Sequence, residues 1–132
     1  MRIVLDASAA IEVVLNRPES TALSALLSQA EEVLAPDLLV AEVTNTIWKY
    51  HRFESLDRDS CEQALSAAVM IPDRLIPSIS LHREAFLLAE VLRKPAYDMF
   101  YVALARREDA ALLTLDAGLK TLAAGQGVRV IA

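Results

Sequence analysis

Asp6 follows three consecutive apolar residues, Ile3-Val4-Leu5, and precedes a helix-like run, Ala7-Ser8-Ala9-Ala10-Ile11. Asp116 stands in the same place after Ala111-Leu112-Leu113-Thr114-Leu115. Asp98 opens a helical pattern that runs to Glu108. Glu42 lies within another, Asp37 to Tyr50, at the margin of its apolar stripe, and Asn45 and Thr46 share that margin one turn on. Carboxylates brought together can bind a divalent cation through oxygen alone, and oxygen-only donors select Mg2+ or Mn2+ over zinc. Crowding is costly otherwise, because two like charges ~4 Å apart repel by about 4 kcal/mol at an effective dielectric of about 20. Ser8 and Thr114 add hydroxyls beside Asp6 and Asp116, suited to bonding a carboxylate. Each acid also has a plainer role open to it. Asp6, Asp98 and Asp116 sit where an N-cap accepts orphan amide protons, and Glu42 can be a solvated helix residue.

The elements that must position these acids follow from hydrophobic spacing. Arg2 to Asp6 reads as a strand apolar on both faces, as in a parallel sheet covered by helices. A short helix, Ala9 to Leu15, is broken by Asn16-Arg17-Pro18-Glu19-Ser20, and a second carries Leu23, Leu26, Leu27 and Ala30 at helical spacing. Glu31 to Pro36 is a strand, and the helix from Asp37 to Tyr50 has the stripe Leu39, Val40, Val43, Ile47 and Tyr50. Leu56 to Met70 is a helix with Asp57 or Asp59 as its cap, and Pro72 to Pro77 a loop with a short edge strand. Helices over Leu81 to Leu92 and Asp98 to Glu108 lead to a buried strand, Ala111 to Leu115. A last helix ends near Ala124, stopped at Gly125 or Gly127, before the strand Val128 to Ile131. This alternation predicts a three-layer α/β/α sandwich with a mostly parallel sheet and the first strand near its middle. Strand carboxyl ends and the following helix amino ends then share one edge. Asp6, Asp98 and Asp116 can meet there, with Glu42 leaning over them.

The bulk composition narrows the function classes. The 132 residues predict one domain, 1–132, with a real core, and 55% hydrophobic against 23% charged residues excludes disorder. A net charge of −5 argues against holding nucleic acid chiefly by counterion release, though not against an enzyme that touches it through a metal. A lone Cys61 excludes an internal disulfide and a cysteine-rich zinc site. Met1-Arg2 leads into a short strand rather than a leader, and no apolar run nears the ~18 residues of a membrane span. A cytoplasmic protein with no membrane contact is expected. His51 and His82 read as helix-surface or helix-end residues, and no Ser-His or Cys-His pair suggests a protein nucleophile.

Taken together these segments resemble the PIN-domain family, and most closely the VapC-type toxins of prokaryotic toxin–antitoxin pairs. The resemblance rests on Val4-Leu5-Asp6-Ala7-Ser8-Ala9, Ala41-Glu42-Val43-Thr44-Asn45, Ala96-Tyr97-Asp98-Met99-Phe100-Tyr101-Val102-Ala103-Leu104-Ala105 and Leu112-Leu113-Thr114-Leu115-Asp116, in family order along nearly the whole chain. It implies a five-stranded parallel sheet between helices and an acidic, Mg2+-dependent ribonuclease site. Asp6, Glu42, Asp98 and Asp116 become the catalytic metal-binding carboxylates, Ser8 and Thr114 supporting hydroxyls, and Asn45 a neighbour of Glu42. Asp109 departs from the pattern, where many relatives have glycine, but touches no acidic position.

The reaction so implied is hydrolysis of an RNA phosphodiester by metal-activated water. Arg17, Lys49, Arg52, Arg93 and Lys94 are candidate phosphate contacts at the rim, Lys49 foremost because it lies two turns from Glu42. A small antitoxin protein and a second copy of the chain are the expected partners. Most of the small and apolar residues on the first, second and fourth helices (Ala9, Ala10, Leu23, Leu26, Leu27, Ala64, Ala67, Ala68) should be core, and any surplus would serve these partners. Two rivals remain open. A receiver-like phosphoacceptor domain also puts aspartates and Mg2+ at strand ends, but expects paired acids after the first strand and a lysine after the last. In a non-catalytic binding module the acids would only cap helices.

Overall fold

The computed structural model describes residues 1–132. Five strands, β1 (Arg2–Leu5), β2 (Glu32–Pro36), β3 (Arg74–Ile76), β4 (Ala111–Leu113) and β5 (Val130–Ile131), form one sheet in the order β3-β2-β1-β4-β5. Every pairing is parallel, with Val4 opposite both Leu34 and Leu112. The sheet is thus wholly parallel rather than mostly so. Seven α-helices cover it: α1 (Ala7–Val14), α2 (Ser20–Ser28), α3 (Leu38–Glu54), α4 (Arg58–Met70), α5 (His82–Leu92), α6 (Ala96–Arg107) and α7 (Ala117–Gly125).

The period-two alternation of β1 divides the core in two. Val4, Leu34 and Leu112 point to one face and pack with Leu88 of α5, Tyr101 and Leu104 of α6, and Leu119 of α7. Ile3, Leu5, Val33 and Leu113 point to the other, against Ile11 of α1, Leu23 of α2, Val43 and Ile47 of α3, and Ala64 of α4. Ile3, Val4 and Leu5 are all fully buried, as a strand covered on both faces requires. The chain builds outward from β1 to β2 and β3, then returns through α5 and α6 to place β4 on the other side of β1. The direction reverses between β1 and β4, and parallel sheets open a crevice at such a point, beyond the strand carboxyl ends.

Several boundaries differ from the sequence reading, for identifiable reasons. α6 begins at Ala96, directly after Pro95, so Asp98 lies inside the first turn and caps nothing. β4 stops at Leu113 rather than Leu115, because the next amides are diverted to side chains: Leu115 N–H donates to Ser8 Oγ (3.0 Å) and Asp116 N–H to Thr114 Oγ1 (3.0 Å). β5 starts at Val130, since Val128 N–H is still bonded to the α7 carbonyl of Ala123. α3 runs on to Glu54 and ends on Ser55 in the left-handed conformation, φ 59. Asp57, not Asp59, caps α4. A 3-10 turn, Ser78–Ser80, precedes α5 where the spacing showed none. Gly127, φ +78, is the left-handed stop after α7, and Gly125 is still helical.

Most of the small and apolar residues named above on α1, α2 and α4 are core, as expected, and little surplus is left among them. Ala9, Ala10, Leu23, Ala64 and Ala68 are core, Leu26 and Leu27 are half-buried, and of that set only Ala67 is exposed. The large exposed apolar side chains include Trp48 and Phe53 of α3 and Phe86, Leu87 and Val91 of α5. Val40, assigned above to the α3 stripe, is exposed, while Leu39, Val43 and Ile47 are buried. Cys61 is a buried free thiol. No helix is long and apolar enough to cross a membrane.

Candidate active site

Asp6 is the first residue after β1, and its extended backbone (ψ 172) turns the chain into α1. Its Oδ1 accepts from Ala9 N–H (3.1 Å) and Ser8 Oγ (2.7 Å), and its Oδ2 from Thr114 Oγ1 (2.5 Å). The Thr114 bond crosses the gap between the ends of β1 and β4, where the order of strand addition reverses. Each hydroxyl has one proton, and both are given to Asp6, so the 3.3 Å approach of Ser8 Oγ to Thr114 Oγ1 is a contact rather than a third bond. Both hydroxyls also accept an amide proton from the turn after β4. Ser8 and Thr114 therefore stitch the two strand ends around one buried carboxylate that is 6% exposed.

Glu42 reaches the same edge from α3. Its Oε1 accepts from Tyr101 Oη at 2.5 Å. Tyr101 packs on the α6 side of the sheet and Glu42 comes from the α3 side, so the bond joins the two helical layers over the strand ends. The spacing did not single out Tyr101 as polar. It lies within an apolar run, and its position three residues after Asp98 on α6 was the available signal. Asp116 caps α7, its Oδ1 accepting from Leu119 N–H at 3.0 Å. Gly118 lets this turn close, since a Cβ there would stand 3.2 Å from that oxygen. Asp98 is half-buried and makes no side-chain hydrogen bond. Asn45 and Lys49 are exposed on α3, and neither bonds any of the four acids.

Three of the carboxylates feel the charge of acidic neighbours. Burial raises the pKa of Asp6 above its usual value, its three donors pull the other way, and the charge of Asp98 adds to the rise. Glu42 is raised by burial and by Asp98 and Asp6, against the opposing bond from Tyr101. Asp98 is raised by burial and by Asp116. Burial and the charge of Glu42 drive the Tyr101 phenol far upward, so it stays a donor. No lysine, arginine or histidine forms an ion pair with any of the four, although six other acids each have a cationic partner: Glu12, Glu31, Glu32, Glu62, Glu84 and Glu108.

Donor chemistry fits a hard divalent cation. The acceptors left without a protein donor are Glu42 Oε2, both oxygens of Asp98 and Asp116 Oδ2, all of them oxygen. As the side chains stand, no three acids share a point at ligand distance. The oxygens of Asp6, Glu42 and Asp116 that are held by protein donors fix the walls of the crevice. Capping accounts for Asp6 and Asp116 but for neither Asp98 nor Glu42.

The raised proton affinities carry a pH consequence. An unfolded carboxyl ionises near 3.8 for Asp and 4.5 for Glu, while folded Asp6, Glu42 and Asp98 hold their protons to higher pH. The folded state therefore binds more protons in that window, and stability falls as pH rises from the unfolded values through the folded ones. In EDTA, these three groups should make the melting temperature of wild type decline with rising pH, above the unfolded carboxyl values, relative to that of Asp98→Asn. Equal pH slopes for the two proteins would contradict the mutual repulsion.

Comparison with known proteins bears on what such a crevice does. The family model for the PIN domain matches residues 3–125. Ribonuclease VapC3 of Pyrobaculum aerophilum is 32% identical over 122 residues, covering 88% of this chain and 90% of the relative. Among solved structures, PAE2754 from Pyrobaculum aerophilum superposes with a TM-score of 0.74 at 19% identity, covering 98% of this chain and 92% of its own. VapBC2 from Rickettsia felis, bound to a DNA fragment from their promoter, gives 0.66 at 17% identity, covering 99% of this chain and 98% of its own.

Proposed function

The chain belongs to the PIN-domain family, and we propose on that premise that it is a VapC-type endoribonuclease whose Asp6, Glu42, Asp98 and Asp116 hold Mg2+ or Mn2+. The observation that carries the reading is that Asp6 feels the charge of Asp98, Glu42 that of Asp98 and Asp6, and Asp98 that of Asp116, at the carboxyl edge of the sheet, with none of the four paired with a cationic side chain. When bound, the ion supplies Lewis acidity toward water and toward the phosphodiester. The chain supplies position. Thr114, Ser8 and the Ala9 amide fix both oxygens of Asp6, Tyr101 fixes Glu42 and leaves Oε2 free, and the Leu119 amide fixes Asp116. Asp98, with no hydrogen-bond partner, is the acid freest to turn toward an ion. No protein nucleophile is required, which agrees with the exposed His51 and His82 bonding only nearby backbone carbonyls.

Family membership sets aside the receiver-like alternative, and Asp6 has no second acid beside it after β1. A small antitoxin protein is the proposed partner, supported by the VapBC2 assembly among the structural neighbours. The exposed aromatic and aliphatic side chains of α3 and α5 offer surface for it or for a second copy. A cytoplasmic location goes with an RNA substrate. The reading is tested by incubating the protein with single-stranded RNA. Cleavage in Mg2+, its loss in EDTA and its return with excess Mn2+ are expected. Cleavage that persists in EDTA would overturn it.

A further inference from the structure

We propose that the cavity between α1, α3 and the turn after β4 seats one nucleotide of the RNA next to the scissile linkage, with Arg17 holding its phosphate. The inference rests on the ribonuclease reading and adds a place for the substrate strand. The cavity has a volume of about 400 Å³, and its walls include Ser8, Glu12, Arg17, Thr46, Tyr50 and Leu115. It borders the acidic crevice, although none of the four acids lines it. Ser8 belongs to both, since its hydroxyl holds Asp6, and Leu115 lies between Thr114 and Asp116. Thr46 and Tyr50 follow Glu42 at successive fourth positions, so one face of α3 runs from the acid into the cavity.

Arg17 is fixed from two sides. Its guanidinium lies over the Tyr50 ring, 5.6 Å from the centroid. Its Nε is 3.4 Å from Glu12 Oε1, and Glu12 Oε2 itself accepts a hydrogen bond from Glu19 N–H (2.9 Å). Both restraints leave the two terminal nitrogens without a protein acceptor, and the side chain is 46% exposed. A planar fork held this way matches a phosphate. The charge balance makes the residue matter. The chain carries −5 overall, and a strand entering beside four acids meets repulsion. Arg17 is the one basic residue lining this cavity, while Lys49, Arg52, Arg93 and Lys94 do not line it. Arg52 instead covers the Phe53 ring at 5.3 Å.

The test compares wild type, Arg17→Gln and Arg17→Lys for binding of a labelled oligouridylate by fluorescence anisotropy in EDTA, and for cleavage in Mn2+. Arg17→Gln should weaken binding and raise KM roughly tenfold, with kcat within about twofold. The slope of log affinity against log salt should fall by about 0.7, the share of one single-strand phosphate, and a lost packing contact would not move it. Arg17→Lys should keep the salt slope and recover part of the affinity. Unchanged affinity and salt slope in Arg17→Gln overturn the assignment, even if RNA is cleaved normally. If wild type cleaves no RNA but Arg17 still controls binding and its salt slope, the phosphate seat stands and the ribonuclease reading fails. Should Arg17→Gln fold poorly by circular dichroism, Arg17→Met, which keeps the apolar stem and removes the charge, decides in its place, with affinity and salt slope equal to wild type again overturning the proposal.

Discussion

Replacing Asp98 by asparagine should lower RNA cleavage by about 10³-fold, or ~4 kcal/mol of transition-state stabilisation, without weakening the fold. The substitution keeps the shape and deletes the charge. Asp98 accepts no hydrogen bond, so no donor is orphaned. Its carboxylate is disfavoured by burial and by Asp116, so its loss relieves repulsion in the ion-free protein. Steady-state cleavage at saturating Mg2+ gives the first number and urea denaturation the second. A tenfold loss or less would show that Asp98 is peripheral. An unfolded variant would show that it is structural.

The second large effect concerns the scaffold. Leu112→Ala should cost about 3 kcal/mol of unfolding free energy, within the range for a buried leucine that leaves a cavity. Leu112 is fully buried in β4, opposite Val4 in the central strand, and its core includes Tyr101. Against the roughly 5–15 kcal/mol typical of such domains, about a fifth or more of the stability would go. Exposed Leu87→Ala on α5 is the control and should stay within about 0.5 kcal/mol. A loss below about 1 kcal/mol at Leu112 would mean that the sheet repacks around the gap. β4 also ends one residue before Thr114, so the variant should weaken the grip on Asp6 and lower cleavage at temperatures well below melting.

Much of this was legible because the parallel sheet writes a simple code. Ile3-Val4-Leu5 and Ala111-Leu112-Leu113 are uninterrupted apolar runs, and a strand buried on both faces can sit nowhere but inside. The residue after such a strand lies on the carboxyl edge, so Asp6 could be placed from sequence, and with it the hydroxyls of Ser8 and Thr114. Bonds made across layers were not legible. Tyr101 lies in a run that reads as core, and only tertiary packing brings its phenol to Glu42 from the opposite side of the sheet. Strand ends were misjudged where side chains outcompete the ladder. Thr114 and Leu115 continue the β-like pattern, but the turn spends its amides on Ser8 and Thr114. Arg17 sits in a loop whose composition signals only a break, and its value comes from Tyr50, thirty-three positions later, lying beneath it.

The most direct measurement is a calorimetric titration of Mn2+ into wild type and Asp98→Asn at neutral pH, after chelation of any co-purified ion. Wild type should bind saturably, because a cation offsets the burial and the mutual repulsion that disfavour the ionised carboxyls. Asp98→Asn should bind at least tenfold more weakly. Equal binding by both proteins, or no saturable binding by wild type, would contradict a cation site built from these four acids.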